Sequence, residues 1–229
     1  MKITFYAHAS FRLESDDLTV ITDPFKPERS GFDPIGEPAD IVIMSSATDE
    51  FHSDPSHVDG DPIVVNALEI PEDGIEVRGL QIRSFPAMES MTFDFQKYFQ
   101  RDPDANALYY FELGGIRVLH MGDIGNPVAP EHLAALENQV DVLFALTGEH
   151  ATIALDDLDT VIARVKPRAV IPMHYYSERG VLDIEPVETF TSRFPAERVT
   201  RVDGSVIELD PATLPPEGAP QIYVLEQSR

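Results

Sequence analysis

The sequence predicts a layered α/β protein in which two β-sheets carry helices on their outer faces. Three observations point there: apolar residues alternate near the start, short apolar runs recur at Ile41 to Met44, Val142 to Ala145 and Ala169 to Ile171, and helical spacing is confined to the later half. The 229 residues, 43% hydrophobic and 25% charged, suffice for one sizeable core, and residues 1–229 read as a single domain.

Taken in order, Ile3 and Phe5, Phe11 and Leu13, and Leu18 and Val20 mark three strands, with Ser15-Asp16-Asp17 as turn chemistry between the second and third. After Asp23-Pro24 a Pro/Gly-rich loop from Lys26 to Ala39 leads into the apolar strand Ile41 to Met44, which stops in Ser45-Ser46-Ala47-Thr48-Asp49-Glu50. Short strands are expected at Pro62 to Val65, Ile75 to Val77 and Leu80 to Phe85, and Gly114-Gly115 joins Ala107 to Phe111 and Ile116 to His120 in a hairpin. Helices are expected behind Pro130 (Leu133, Leu136), over Leu155, Leu158, Ile162 and Val165, and behind Pro186 (Val187, Phe190, Phe194). Buried strands fill the gaps at Val142 to Ala145 and Ala169 to Ile171, and the apolar segment Gln221 to Leu225 reads as an edge strand.

Composition narrows the function. Acidic residues outnumber basic ones 40 to 17, a formal charge of -23, which repels phosphate backbones and anionic lipids; neither nucleic acid nor membrane is expected as a partner. With no cysteine, thiolate metal sites and cysteine nucleophiles are excluded, so any metal falls to histidine and carboxylate. No apolar run approaches the ~20 residues of a membrane span and no signal-peptide core is read, so a cytoplasmic location is the expectation.

Ligand-type side chains cluster just after apolar strands, where open α/β sheets place their sites. These are Ser46 to His52 after Met44, Glu89 after Phe85-Pro86, His120-Met121-Gly122-Asp123 after Leu119, and His174 after Met173. Together with Tyr6-Ala7-His8-Ala9-Ser10-Phe11, Thr22-Asp23-Pro24-Phe25 and Ala39-Asp40-Ile41-Val42-Ile43, these segments resemble the metallo-β-lactamase superfamily, in particular its bacterial branch of small metal-dependent hydrolases related to ascorbate-6-phosphate lactonase. The resemblance implies a four-layer αββα sandwich with metals at one edge, Asp123 as the bridging aspartate and His174 as the last histidine of the second site.

The family hallmark His-x-His-x-Asp-His is missing. In register, Ser46 and Thr48 stand for its first two histidines, Glu50 for its aspartate and Phe51 for its last histidine, with His52 one residue late; Glu89 replaces a further histidine of the first metal site. Zinc binds hydroxyls weakly, so the first site would suit a hard cation or none. The second would keep Glu50, Asp123 and His174, joined by His52 if a one-residue bulge turns it inward. The expectation is one divalent cation, Zn²⁺, Mn²⁺ or Mg²⁺, with Glu89 and Asp123 as the catalytic acids.

The remaining candidates carry two readings each. His8 reads equally as substrate contact or structural hydrogen bonding. Asp23 and His120 are expected to support the site, His120 by orienting Asp123. Glu149, His150, Tyr175 and Tyr176 are candidates for the pocket wall, whereas His57 reads as structural and His132 as solvated. The stretch Met88, Met91, Phe93, Phe95, Tyr98 and Phe99 is core packing or a substrate wall.

Three functions follow. The first is a metal-dependent hydrolase acting on a small-molecule ester, lactone or phosphoester. The second is a non-catalytic relative that uses the cleft for binding or assembly. The third, a homo-oligomer formed through Phe93 to Phe99, is a remark only.

Overall fold

Alternation of apolar residues builds the first sheet. In the computed structural model, which describes residues 1–15 and 18–229, Lys2–Ala7 (β1), Ser10–Ser15 (β2) and Leu18–Thr22 (β3) pair antiparallel, with Ile3 opposite Leu13 and Phe5 opposite Phe11. Asp16 and Asp17 of the expected turn lie outside the described residues. Past the short helix Pro27–Ser30 (α1), Ile41–Met44 (β4) adds in parallel beside β3, and Ile63–Asn66 (β5) in parallel beside β4. All four residues of β4 are buried, which is why it reads as an unbroken apolar run.

The second sheet starts with Ile75–Val77 (β6) and Leu80–Met88 (β7). The short helix Phe95–Phe99 (α2) follows, then the hairpin Ala105–Leu113 (β8) and Ile116–His120 (β9). Pro130–Leu136 (α3), Val142–Leu146 (β10), Leu155–Val165 (α4) and Ala169–Met173 (β11) then alternate, and β9, β10 and β11 run parallel. Val187–Thr191 (α5), Val199–Arg201 (β12), Val206–Glu208 (β13) and Gln221–Val224 (β14) complete the chain. The sheet orders are β13-β1-β2-β3-β4-β5 and β12-β14-β11-β10-β9-β8-β7-β6.

Three differences from the sequence reading have a common cause. β14 is not an edge strand but lies between β11 and β12. The three-residue β12 and β13 and the five-residue α2 were not expected, because elements that short contain less than two periods of any pattern.

The core lies between the sheets. Phe5, Phe11, Ile41 and Ile43 from the first sheet pack with Phe85, Phe111, Val118 and Phe144 from the second, and the Phe11 and Phe144 rings sit 4.2 Å apart across the interface. α4 turns Leu155, Leu158, Val161, Ile162 and Val165 into this core, the stripe of an amphipathic helix. On the other face of the first sheet, Tyr6, Ile21, Val42 and Met44 are covered by Phe25, Phe32, Ile35 and Val58, so that outer layer is chiefly loop and α1. Among the described residues no helix is long and apolar enough to cross a membrane.

Asp141 fastens β9 to β10. Its carboxylate accepts hydrogen bonds from the Arg117 backbone N–H at 3.0 Å and from Arg117 Nε and Nη2 at 2.9 Å each. Burial opposes its ionisation, but these Arg117 donors outweigh burial and hold the carboxyl below its ordinary value. A depressed folded-state value means stability present above the unfolded value, about 3.9, and lost as pH falls through the folded value. Acid unfolding of Asp141→Asn, followed by circular dichroism, should therefore show a shallower loss of stability between about pH 4 and 2 than the unmodified chain.

Candidate metal centre

β1, β3, β4, β9 and β11 end at one edge of the sandwich, and each is followed by an ionisable residue: His8, Asp23, Asp49 with His52, Asp123 and His174. Three of these take left-handed backbone conformations rare for such residues, with φ of 54° at His8, 36° at Asp23 and 51° at His174. Strain of this kind persists only where surrounding contacts over-determine it. Here they do: the His174 backbone N–H donates to the His8 carbonyl at 2.8 Å, and Asp23 Oδ1 accepts from the Ser45 N–H at 2.6 Å.

The loop after β4 is shaped by Asp49. Its Oδ1 accepts from the backbone N–H groups of Phe51 and His52, both at 2.7 Å, a tight turn that swings the His52 ring inward. Lys26 Nζ donates to the Asp49 carbonyl at 2.8 Å and pins the loop. His52 Nε2 then lies 2.7 Å from His8 Nδ1, while His52 Nδ1 lies 3.4 Å from Asp49 Oδ1 and 3.6 Å from Asp123 Oδ2. His174 Nε2 is 3.6 Å from Asp123 Oδ1. Two donor triplets result, His8 with His52 and His174, and Asp49 with His52 and Asp123; within each, the ligand atoms lie within 4.8 Å of one another.

Asp123 is aimed by Asn106, which motif reading missed, and by Gly122 and His120, which the motif contained. Asn106 Oδ1 accepts from the Asp123 N–H at 2.9 Å, and Gly122, at φ 59°, lets the chain pass close to Ala107 and Ser45. His120 accepts from the Gly122 N–H at Nδ1 (3.0 Å), so its Nε2–H donates to the Ala9 carbonyl at 2.8 Å. It thus fixes the turn carrying Asp123 and ties the two sheets together. Burial lowers His120 to about 3 and raises Asp23 to about 7, the latter despite the Ser45 hydrogen bond.

Charge in the cluster is divided unevenly. Burial drives His8 well below the ordinary imidazole value, with His52 and His174 adding to it, and burial with His52 lowers His174 to about 3. Burial opposes a charge on His52 as well, but Asp49, Asp123 and Asp23 outweigh it and push His52 up to about 9. Burial raises Asp123 well above the carboxylate range, with His52 opposing, whereas Asp49, also buried, is held far below that range by His52 and the two backbone N–H groups. In the metal-free protein a proton on His52 is the counter-charge of Asp49.

That arrangement leaves side-chain atoms stranded. Asp49 Oδ2, Asp123 Oδ1, His52 Nδ1 and His174 Nδ1 are buried without a hydrogen-bond partner. Orphaned buried polar atoms are costly and rare, and three of these belong to the one triplet of Asp49, His52 and Asp123, which calls for a common partner. Imidazole nitrogens with carboxylate oxygens form a donor set that suits Zn²⁺ and other first-row divalent ions, so the residues fit a cation.

Glu50 and Glu89 correct the sequence reading. Neither belongs to the donor triplets; both hold arginine instead. Glu89 is bound by Arg101 through two parallel hydrogen bonds, 2.6 and 2.8 Å, and accepts from the Asp104 N–H at 2.8 Å. Burial raises Glu89, and Arg101 opposes the rise. Glu50 meets Arg29 at 3.0 Å and Arg101 at 3.4 Å. Glu89 is therefore no free base, and the acid after β4 that belongs to a donor triplet is Asp49, while Glu50 is held by arginine.

Glu50, Glu89, Asp123 and His174 nonetheless line one cavity of about 520 Å³, with Phe51, Phe93, Phe95, Tyr98 and Phe99 among its walls, so the aromatic stretch does form a wall. His150 is there too, exposed. Glu149 is not: its Oε1 accepts from the Leu155 N–H at 3.1 Å at the start of α4. Tyr175 and Tyr176 face a different hollow, and the Tyr175 hydroxyl donates to the Leu225 carbonyl at 2.8 Å. His57 is structural, accepting from the Ile35 N–H at 2.9 Å and donating to the Phe25 carbonyl at 2.6 Å, and half-buried His132 packs edge-on against Phe85.

Known proteins similar to this chain are metal-dependent hydrolases by name. A UPF0173 metal-dependent hydrolase of Methanosarcina mazei is 27% identical over 237 residues, covering 92% of this chain and 96% of its own length. One of Salinibacter ruber is 27% identical over 192 residues, covering 76% and 84%. A Thermotoga maritima crystal structure, assigned to the zinc-dependent hydrolases of the metallo-β-lactamase superfamily, superposes with a TM-score of 0.73 at 27% identity, covering 98% of this chain and 99% of that one. The αββα sandwich is of the metallo-β-lactamase type. The family model described as "Beta-lactamase superfamily domain" matches residues 2–174, from β1 to the histidine after β11, and the chain belongs to that family.

Proposed function

We propose that the protein is a metal-dependent hydrolase that holds one divalent cation between His8, His52, His174, Asp49 and Asp123 and cleaves a small ester, lactone or phosphoester. The observation that carries this is the donor triplet of Asp49, His52 and Asp123, in which Asp49 Oδ2, His52 Nδ1 and Asp123 Oδ1 are buried without a hydrogen-bond partner, with His174 Nε2 3.6 Å from Asp123 and His8 on the far nitrogen of His52. Relatives named metal-dependent hydrolases support it. The residues standing for first-site ligands favour a single cation: Ser46 and Thr48 hydroxyls bond each other at 3.1 Å, and Glu89 is spent on Arg101.

A divalent cation supplies a Lewis acid and a source of hydroxide at neutral pH. The chain's own part is to aim the donors. Asn106, Gly122 and His120 set the direction of Asp123, Asp49 sets that of His52, and the aromatic rings line the cavity beside Asp123 and His174. Element analysis and hydrolysis of aryl esters by protein purified without chelator test the reading. About one bound or bindable Zn²⁺ or Mn²⁺ per chain with metal-dependent turnover is expected; failure to bind any divalent ion would overturn it.

Binding must also displace a proton. With His52 at about 9, the metal-free protein carries that proton at pH 7, and a ligating imidazole cannot keep it. Zinc titrations in buffers of different ionisation enthalpy should show release of about one proton or more per cation at pH 7, with apparent affinity rising up to about pH 9.

A further inference from the structure

We infer that the cavity takes an uncharged ester or lactone bearing an aryl or medium-length acyl group, and discriminates against phosphoesters. This deepens the hydrolase reading and rests on it. The volume, about 520 Å³, falls within the range of small-molecule pockets. Asp123 and His174 form part of its lining, so a group held against the aromatic wall lies beside the donors. Five aromatic rings line it, Leu182 and Ile184 add aliphatic surface, and Val181 and Tyr98 are 61% and 58% exposed. This apolar part of the lining binds by burying apolar area.

The charges decide against an anion. Two arginines line the cavity, Arg29 and Arg101, against four acids, Glu50, Glu89, Asp123 and Asp183. Neither arginine is free. Arg101 donates through Nη1 to Glu89 and the Asp102 carbonyl, through Nη2 to Glu89 and through Nε to Glu50, while its guanidinium lies 4.6 Å from the Phe95 ring centroid. Arg29 is held by Glu50. A phosphoester would bring its charge among four carboxylates, with both arginines already paired to glutamate, whereas a neutral carbonyl compound avoids that repulsion.

The test uses the zinc-loaded full chain. Rates on p-nitrophenyl acetate, butyrate and hexanoate should rise by about tenfold or more in kcat/KM along the series, because each buried methylene adds to binding. p-Nitrophenyl phosphate should fall about 100-fold or more below the hexanoate. Tyr98→Ala, at an exposed site where folding is not at stake, should flatten the acyl-length gradient. A flat ester series in the unmodified chain, or phosphate turnover matching the best ester, would overturn the inference.

Calorimetric binding of 4-phenyl-2-butanone against phenylphosphonate separates the two claims. Ketone binding in a protein that turns over no ester supports the substrate class while the hydrolase reading falls. Tighter binding of the phosphonate overturns the class whatever the turnover.

Discussion

Asp123→Asn should weaken divalent-cation binding by more than about 100-fold and abolish metal-dependent turnover, while leaving the metal-free protein nearly as stable as before. The variant is close to the acid in shape, and burial already favours the neutral form of this carboxyl. An amide therefore loses little in the metal-free state but removes an anionic ligand. His52→Ala makes the contrast. It also removes the cation between Asp49 and Asp123, and breaking a buried charge pair costs about 3–5 kcal/mol, so that variant should lose both metal and stability. Zinc titration and thermal unfolding of chelator-treated protein read the two effects separately. Equal zinc affinity in Asp123→Asn and the unmodified chain would remove Asp123 from the ligand set.

Gly122→Ala should be a strongly damaging small substitution near the site. A Cβ there would lie 2.4 Å from the Ala107 carbonyl oxygen, 2.5 Å from Asn106 Oδ1 and 2.7 Å from Ser45 Cβ, and the backbone φ of 59° is strained for any residue with a side chain. Two of those neighbours are backbone or buried side chain that cannot swing away, and Asn106 is the group that receives the Asp123 N–H. The cost should be about 3 kcal/mol or more, a fall of roughly 6–12 °C in melting temperature for a domain of this size. Zinc affinity should drop as well, since Asp123 is displaced with its turn. A melting temperature within a degree of the unmodified chain would mean that the turn relaxes freely.

The architecture was legible because its signals are periodic. The alternation in β1 to β3, the unbroken apolar β4, β10 and β11 and the stripe on α4 all exceed two periods or are buried on both faces. The site was legible only where a residue follows a strand directly, as His8, Asp123 and His174 do, or nearly so. The loop after β4 defeated register counting. Beyond Met44 no strand geometry holds the alternation, and side-chain-to-backbone hydrogen bonds from Asp49 decide which groups turn inward. The spacing of Asp49 and His52, an Asx turn three residues long, was the signal available for that.

Arg101 carried no signal of its own. The gathering of Glu50, Glu89 and Asp123 was readable, as was the physical demand that such acids take up protons or a cation. The structure satisfies that demand in two places: a guanidinium serves Glu50 and Glu89, and protonated His52 serves Asp49 in the metal-free protein, where burial favours the neutral form of Asp123. Only the second counter-charge can be exchanged for a metal, because Arg101 stays charged and is fixed between Phe95 and the two glutamates.

Anomalous scattering from zinc-loaded crystals, collected on both sides of the zinc absorption edge, tests the central claim most directly. A single peak should appear among His8, His52, His174, Asp49 and Asp123, with Arg101 still clasped to Glu89. No peak there, or a peak held by Glu50 and Glu89 in place of Arg101, would contradict the account.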